Sequence, residues 1–204
     1  MEIVHAEPGF VVLVKPPGLL SEPGRGPDKR DSLLVRAQAA YPDARIVHRL
    51  DMLTSGLIVL ARGAQAHSAL SRAFRERTVR KRYEALVHGR PAAGAGEIAL
   101  PLAVDWPNRP RQVVCHRTGK PSLTRYRVAG EAAGGWTRVV LEPVTGRTHQ
   151  LRVHLAACAT PIAGDPFYGL AGDAAPRMML HACGLGFAHP SSGVPLAFES
   201  AVPF

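Results

Sequence analysis

The sequence predicts an α+β fold, in which a mixed, mostly antiparallel sheet with a central cleft is flanked by a few helices. Many short segments have the length and apolar patterning of strands, and turns rich in glycine and proline separate them. Only a few segments show a helical pattern, which favours this class. The 204 residues are 46% hydrophobic and 20% charged, as in ordinary globular proteins. Because no linker, repeat or low-complexity tract interrupts the chain, we expect residues 1–204 to form a single domain.

The first predicted elements are two short strands and a helix. Residues 2–5 and 10–15 have strand character around the turn Glu7-Pro8-Gly9. Residues 16–30 are rich in glycine, proline and charge, which indicates a mobile surface loop. Asp31 and Ser32 can cap a helix over residues 33–40, and Tyr41-Pro42 ends it.

The most informative stretch is residues 46–62, which reads IVHRLDMLTSGLIVLAR. Its apolar run at 57–61 is predicted to be a buried strand. Asp51 lies in the loop before that strand, so its carboxylate is held by a rigid element and can still face a cleft. Arg49 and His48 adjoin it, and positive neighbours favour an ionised carboxylate. On local sequence alone, a turn former or a cap remains the alternative for Asp51.

The remaining chain is predicted to contain two more helices and mostly short strands. A helix over residues 64–77 carries its apolar residues on one face and arginines elsewhere. A second helix is expected to open within residues 145–155. Strands are predicted at 81–87, 98–104, 112–116, 123–128 and 136–141, and a terminal hairpin at 179–187 and 195–199.

The charge balance favours a polyanionic partner. The chain has 25 Lys and Arg residues and 16 Asp and Glu residues, which gives a formal charge of +9. Nucleic acid is the simplest such partner, and a basic but unspecialised surface is the alternative. No signal peptide and no apolar run of membrane-spanning length is visible, so we expect a cytoplasmic protein that does not enter membranes.

Metal and disulfide chemistry are not expected. The three cysteines, Cys115, Cys158 and Cys183, form no C-x-x-C pair. Among nine histidines, His149 and His154 are five residues apart, which is the wrong interval for one helical face, and no H-E-x-x-H motif occurs.

Several motifs in order resemble those of the RluA family of pseudouridine synthases. The signature HRLD-x-x-TSGL stands at residues 48–57. Three further patterns are similar to family motifs. They are KP-x-G at 15–18, K-x-Y-x-A-x-V-x-G at 81–89 and GRTHQ-x-R-x-H at 146–154. GD-x-x-YG at 164–169 and LHA at 180–182 extend the resemblance over nearly the whole chain.

This resemblance implies the pseudouridine synthase catalytic fold and isomerisation of uridine to pseudouridine in structured RNA, without an organic cofactor. The family's catalytic aspartate matches Asp51, and its arginine partner matches Arg152. The family tyrosine that stacks on the target base matches Tyr83. From the residues alone, a core residue is the favoured interpretation of Tyr83. Arg152 could instead lie on a helix surface or pair with Glu142.

The resemblance also implies how RNA is bound. The target uridine must be extruded from its stack, and Arg49 matches the residue that fills the vacated place. Leu180 matches the apolar position lining the uracil pocket. His48, Arg147 and Lys15 are expected to bind substrate from their motifs.

Residues 105–110 and 118–121 resemble the family type that modifies both large-subunit (23S) ribosomal RNA and the transfer RNA anticodon stem-loop. That type has no separate N-terminal RNA-binding module, and we expect a monomer. Met52-Leu53 departs from the Arg-Asp common in the wider family. The alternatives are a non-catalytic RNA-binding or assembly protein on the same fold, and a glycosidase-type hydrolase, for which no second acid is found.

Overall fold

A computed structural model describes residues 2–204 of the chain. Within these residues the helices are α1 (Leu33–Gln38), α2 (Gly63–Arg75) and α3 (Gln150–Ala157). The strands are β1 (Glu2–Ala6), β2 (Phe10–Lys15), β3 (Ala44–Ile46), β4 (Ser55–Arg62), β5 (Arg80–Val87), β6 (Ala95–Ile98), β7 (Leu102–Val104), β8 (Gln112–Val114), β9 (Thr124–Ala132), β10 (Trp136–Pro143), β11 (Leu180–Ala188) and β12 (Pro195–Glu199). The predicted α+β class, with mixed but mostly antiparallel pairing and few helices, is confirmed.

The chain forms two compact units. The first extends to Lys81 and includes His181–Pro203, and the second is Arg82–Leu180 with Phe204. In the first unit β4 is the central strand. It pairs antiparallel with β2 along one edge and with β3 near its end, whereas its start pairs parallel with β11. β1 and β12 extend this sheet beyond β2 and β11.

The core of the first unit explains the apolar run that begins after Gly56. Seven consecutive residues of β4 from Ser55 are buried, which fits a strand covered on both faces. Leu57 and Val59 pack with Phe10 of β2 and Leu70 of α2 in one cluster. Because α2 presents Ala66 and Leu70 to this cluster, it covers the sheet with its apolar face.

Gly56 is required by the pairing of β4 with β11. Its φ is 113°, and a Cβ atom at this position would collide with the backbone of Ala182, its partner in β11. Only glycine meets both demands without strain. The glycine of the HRLD-x-x-TSGL motif therefore has a local structural explanation.

The second unit contains an antiparallel sheet in the order β5, β10, β9, β6, together with a separate hairpin of β7 and β8. The prediction of one strand at 98–104 was wrong. The segment divides into β6 and β7 around Pro101, since proline lacks the N–H that a sheet ladder needs. The two halves then pair with different partners, β9 and β8.

The helix predicted to open within residues 145–155 begins later, at Gln150. His149 precedes it with φ of 53°, in the left-handed region, so the GRTH residues form a turn rather than helix. The strand β3 was not predicted at all. The terminal hairpin of β11 and β12 is confirmed. Across residues 2–204, no helix is both long and apolar enough to cross a membrane.

Candidate active site

The main chain around Asp51 is anchored on both sides. On one side, the N–H of Leu50 donates to Ser21 Oγ at 3.0 Å, and Ser21 Oγ donates to the Leu50 carbonyl at 2.8 Å. On the other side, the Met52 carbonyl accepts from Gly18 N and from Lys15 Nζ, both at 2.9 Å. Asp51 itself is partly exposed. The loop thus presents a carboxylate from a backbone that is fixed at the residues before and after it.

Lys15 supplies one of these anchors and is completely buried. Its Nζ donates to the carbonyl oxygens of Pro16, Leu19 and Met52 at 2.8–2.9 Å. An ammonium group has three N–H donors, and three backbone acceptors surround it. The ammonium of Lys15 therefore holds the Asp51 loop against the end of β2, and its expected binding of substrate stays a prediction.

His48 is also part of the framework. Its ring stacks on Phe74 of α2 with centroids 4.2 Å apart, and its Nε2 accepts the N–H of Val59 at 3.1 Å. Desolvation lowers the pKa of His48 to about 3, and the nearby Lys81 ammonium acts in the same direction. The ring is therefore neutral near pH 7. The expectation that His48 adds positive charge beside Asp51 was wrong, because burial removes that charge.

Arg49 extends into solvent from the same loop. Its side chain is 63% exposed, and its Nη1 lies 2.7 Å from Glu22 Oε1. Met52, on the other side of Asp51, is exposed as well. These two side chains are available to a partner without any change in the core.

Arg152 is buried in α3, so both sequence alternatives for it were wrong. It is 2% exposed, and its Nε and Nη2 donate to the two carboxylate oxygens of Asp165 at 2.6 and 2.7 Å. Glu142 is instead an exposed residue of β10. Burial of an arginine requires such a bidentate partner, because a lone buried charge is strongly unfavourable.

Gln150 fixes the turn that carries Arg147. Its Oε1 accepts from Arg147 N at 3.0 Å and from Thr145 Oγ1 at 2.7 Å. Its Nε2 donates to Leu123 O and Thr124 Oγ1, both at 3.0 Å. The Arg147 guanidinium reaches the Pro121 carbonyl at 3.3 Å. The backbone of this predicted substrate-binding residue is therefore determined by a buried amide.

Tyr83 and Leu180 lie on strands of regular geometry. Tyr83 is partly buried in β5, opposite Leu141 of β10. Leu180 begins β11 and is 2% exposed. An apolar buried position fits the expected lining of a base pocket, and it equally fits the core, so its part in binding stays a prediction.

The sequence interpretation gave no function to Asp165 or Tyr168. The signal that could have found them is the GD-x-x-YG run, where an acid and an aromatic residue follow a glycine at fixed spacing. In the part of the chain described here, no group of three or more His, Cys, Asp and Glu side chains could hold a metal ion.

Comparison with known proteins defines the class. The model of the family described as RNA pseudouridylate synthase matches residues 9–157. The chain therefore belongs to the RNA pseudouridylate synthase family, and it is an isomerase that converts uridine in RNA to pseudouridine. A non-catalytic RNA-binding or assembly function is accordingly set aside.

The individual relatives show which members of the family this chain is similar to. The chain is 48% identical to the dual-specificity RNA pseudouridine synthase RluA of Escherichia coli (strain K12) over 204 residues, which are 99% of this chain and 93% of that protein. It is also 48% identical to the protein of that name from Yersinia pestis, with both chains covered completely. The resemblance to the RluA family is thereby confirmed.

Solved structures show the same fold. Human RNA pseudouridylate synthase domain containing 1 matches with a TM-score of 0.82 and 31% identity, covering all of this chain and 84% of that one. Human RNA pseudouridylate synthase domain containing 4 matches with a TM-score of 0.78 and 27% identity, covering 99% of this chain and 88% of that one.

Proposed function

We propose that this enzyme isomerises specific uridines in two structured RNAs, a hairpin of 23S ribosomal RNA and the anticodon stem-loop of transfer RNA. The curated relatives at 48% identity are named as dual-specificity enzymes, and residues 105–110 and 118–121 resemble that type. The net charge of +9 supplies the attraction for folded RNA.

The observation that carries the proposal is the anchored loop of Asp51. Isomerisation breaks the bond between N1 of uracil and C1′ of ribose and forms a bond between C5 and C1′, after which C5 loses its proton and N1 gains one. A carboxylate held at C1′ can attack that carbon or stabilise charge there during glycal formation. Either step needs a carboxylate of fixed position. The hydrogen bonds of Leu50 and Met52, which fix the backbone on both sides of Asp51, support this assignment.

The other predicted residues have supporting functions in this proposal. Arg152 supplies the guanidinium that the reaction requires, and Tyr83 stacks on the uracil and moves a proton on the sugar. Arg49 takes the place of the extruded uridine, for which its exposed planar cation is suited. Leu180 lines the base pocket, and Arg147 binds substrate from its turn.

Residues 1–204 are proposed to act as one catalytic domain and as a monomer, in the cytoplasm where folded ribosomal and transfer RNA occur. Support for the single domain is that the relatives align with 99% of the chain or more. No metal or organic cofactor takes part in the proposed reaction, since no group is added to or lost from the nucleoside.

The test is to incubate purified protein with each hairpin and with an unstructured RNA carrying the same loop sequence. Pseudouridine is mapped by its specific chemical adduct, and Asp51→Asn protein is the control. We expect both hairpins to be modified and the unstructured RNA to react poorly. Modification of one hairpin only would contradict dual specificity and leave the class of enzyme intact. Modification of neither hairpin would contradict the assigned substrates.

A further inference from the structure

The buried pair of Arg152 and Asp165 has a geometry that fixes the guanidinium. The side chains are 3% and 0% exposed, and two parallel hydrogen bonds join them. A bidentate contact sets both the position and the plane of a guanidinium, which a single contact does not.

Two aromatic rings complete the surroundings of Arg152. Its Cζ lies 5.3 Å from the centroid of Phe167 and 5.1 Å from that of Tyr168. Both distances are within the range of a cation–π interaction. The guanidinium is thus restrained by one carboxylate and by two neighbouring rings from the same short segment.

Asp165 is itself restrained. Its Oδ1 accepts the N–H groups of Phe167 at 2.9 Å and Tyr168 at 3.2 Å. The preceding residue, Gly164, donates its N–H to Asp173 Oδ2 at 2.6 Å. These bonds hold the turn from both ends and fix the position of the carboxylate.

The phenol of Tyr168 adds a third restraint. Its oxygen accepts the N–H of Gln112 at 2.7 Å and lies 2.8 Å from His149 Nδ1. His149 is the residue immediately before α3, and Arg152 is three residues further along. The ring beside Arg152 is therefore fixed to both the β7–β8 hairpin and the start of the helix that carries the arginine.

We infer that Asp165 is a positioning residue for the isomerisation, which acts by holding the Arg152 guanidinium in one orientation. The inference rests on the proposed function, in which Arg152 supplies the guanidinium that the reaction requires. Asp165 does not touch the uridine. Its loss lowers the rate of the chemical step because a guanidinium displaced by about 1 Å loses its alignment, an effect of about 100-fold in other enzymes.

The experiment is a double-mutant cycle of Asp165→Asn and Arg152→Lys under single-turnover conditions with a hairpin substrate. We expect each single change to lower the rate constant by about 10–100-fold while the RNA dissociation constant changes by less than about threefold. The double variant should be no slower than Arg152→Lys alone, because Asp165 acts only through the arginine. A purely structural contribution would also weaken RNA binding and lower the melting temperature, so a fall in rate with an unchanged dissociation constant separates the two cases.

Two further variants serve as a matched control and as a substitute if Asp165→Asn does not fold. Asp43→Asn is the matched control, since Asp43 pairs with Arg62 at 3.1 Å on the surface, and it should keep the wild-type rate. Because Asp165→Asn leaves a buried cation without its partner, its folding is checked by circular dichroism and thermal melting. If it does not fold, Asp165→Glu keeps the charge and shifts the carboxylate, and its rate should still fall.

The possible outcomes distinguish a failure of the function inferred for Asp165 from a failure of the function proposed for Arg152. A folded Asp165→Asn or Asp165→Glu protein with the wild-type rate overturns the function of Asp165 if Arg152→Lys is slow. Independent, multiplying effects in the double variant also overturn it. A wild-type rate in Arg152→Lys instead overturns the part assigned to Arg152 in the proposed function.

Discussion

The Nζ atom of Lys15 lies 2.9 Å from the carbonyl oxygen of Met52, the residue that follows Asp51. The same ammonium binds Leu19 O at 2.8 Å, so one buried charge joins the end of β2 to two loops. Its KP-x-G motif predicted a substrate-binding residue at the end of a strand. In the structure it determines the backbone that presents Asp51.

Replacement of Lys15 by methionine should therefore destabilise the protein. The variant keeps the buried stem but leaves the Pro16 and Leu19 carbonyl oxygens without this donor, whereas the Met52 carbonyl keeps the N–H of Gly18. We expect this change to cost at least about 2 kcal/mol in the free energy of unfolding. Urea unfolding measures this. Lys29→Met, at an exposed lysine of the neighbouring loop, is the control. Equal stability of the two variants would show that the buried ammonium contributes nothing.

Replacement of His48 by glutamine should change how stability depends on pH. The folded pKa of about 3 lies below the ordinary value of 6.5, so the unfolded chain binds a proton that the folded chain does not. Stability is then lost as pH falls from about 6.5 towards 3, by about 2 kcal/mol between pH 7 and pH 5. Glutamine can still accept the Val59 N–H and does not titrate. The free energy of unfolding of the variant should therefore depend less steeply on pH between pH 7 and pH 5.

The measurement is the free energy of unfolding from urea titrations at pH 5, 6 and 7. His116→Gln, at an exposed position, is the matched control for removal of an imidazole. If His48→Gln protein retained the full pH slope of the wild type, the source of the slope would lie elsewhere.

Much of the fold could be predicted because its signals are local. The apolar run after Gly56 has the length and composition of a buried strand, and β4 is one. Ser32 was expected to cap α1, and its side chain accepts the N–H of Val35. The three-residue strand β3 gives no periodic signal, since it is too short to show one. The interruption at Pro101 was visible, but nothing local showed that β6 and β7 have different partners.

The site was predictable only in part. The sequence motifs mark Asp51, Arg49 and Arg152, but the partner of Arg152 is a residue thirteen positions away on another element. Burial of such a pair depends on the whole tertiary structure, which local propensity does not contain. For the same reason the neutrality of His48 could not be predicted, since its pKa depends on packing against α2.

The loss of turnover in Arg49→Ala should depend on the structure of the RNA substrate. If Arg49 replaces the extruded base, its loss should reduce turnover about 10–100-fold on a stem-loop, where unstacking costs a few kcal/mol, and far less on an RNA whose target is already unpaired. Single-turnover rates on the two substrates measure this.

Glu22→Gln is the control for that variant. It removes the salt-bridge partner of Arg49 and keeps the arginine, and an exposed ion pair contributes at most about 1 kcal/mol. Its turnover should stay within about fivefold of the wild type. Equal losses of Arg49→Ala on both RNAs would argue against extrusion.

Binding should weaken steeply as salt is added. With a net charge of +9, phosphate contacts are expected to supply much of the affinity, and each neutralised phosphate adds about 0.7–0.9 to the slope of log affinity against log salt. We expect a slope of about −2 or steeper for a hairpin. Dissociation constants of the Asp51→Asn protein at several salt concentrations measure it, with a neutral osmolyte as the control. A flat dependence would contradict an electrostatic interface.

The central claim, that Asp51 is the carboxylate of an RNA pseudouridine synthase, is tested most directly by the turnover of Asp51→Asn. The change keeps the size of the side chain and removes its charge, and the anchors at Leu50 and Met52 are made by backbone atoms that it does not alter. We expect a folded protein that binds the hairpin with wild-type affinity and forms pseudouridine at least about 10⁴-fold more slowly. Retention of a tenth of the wild-type turnover would contradict the assignment of Asp51 as the essential group.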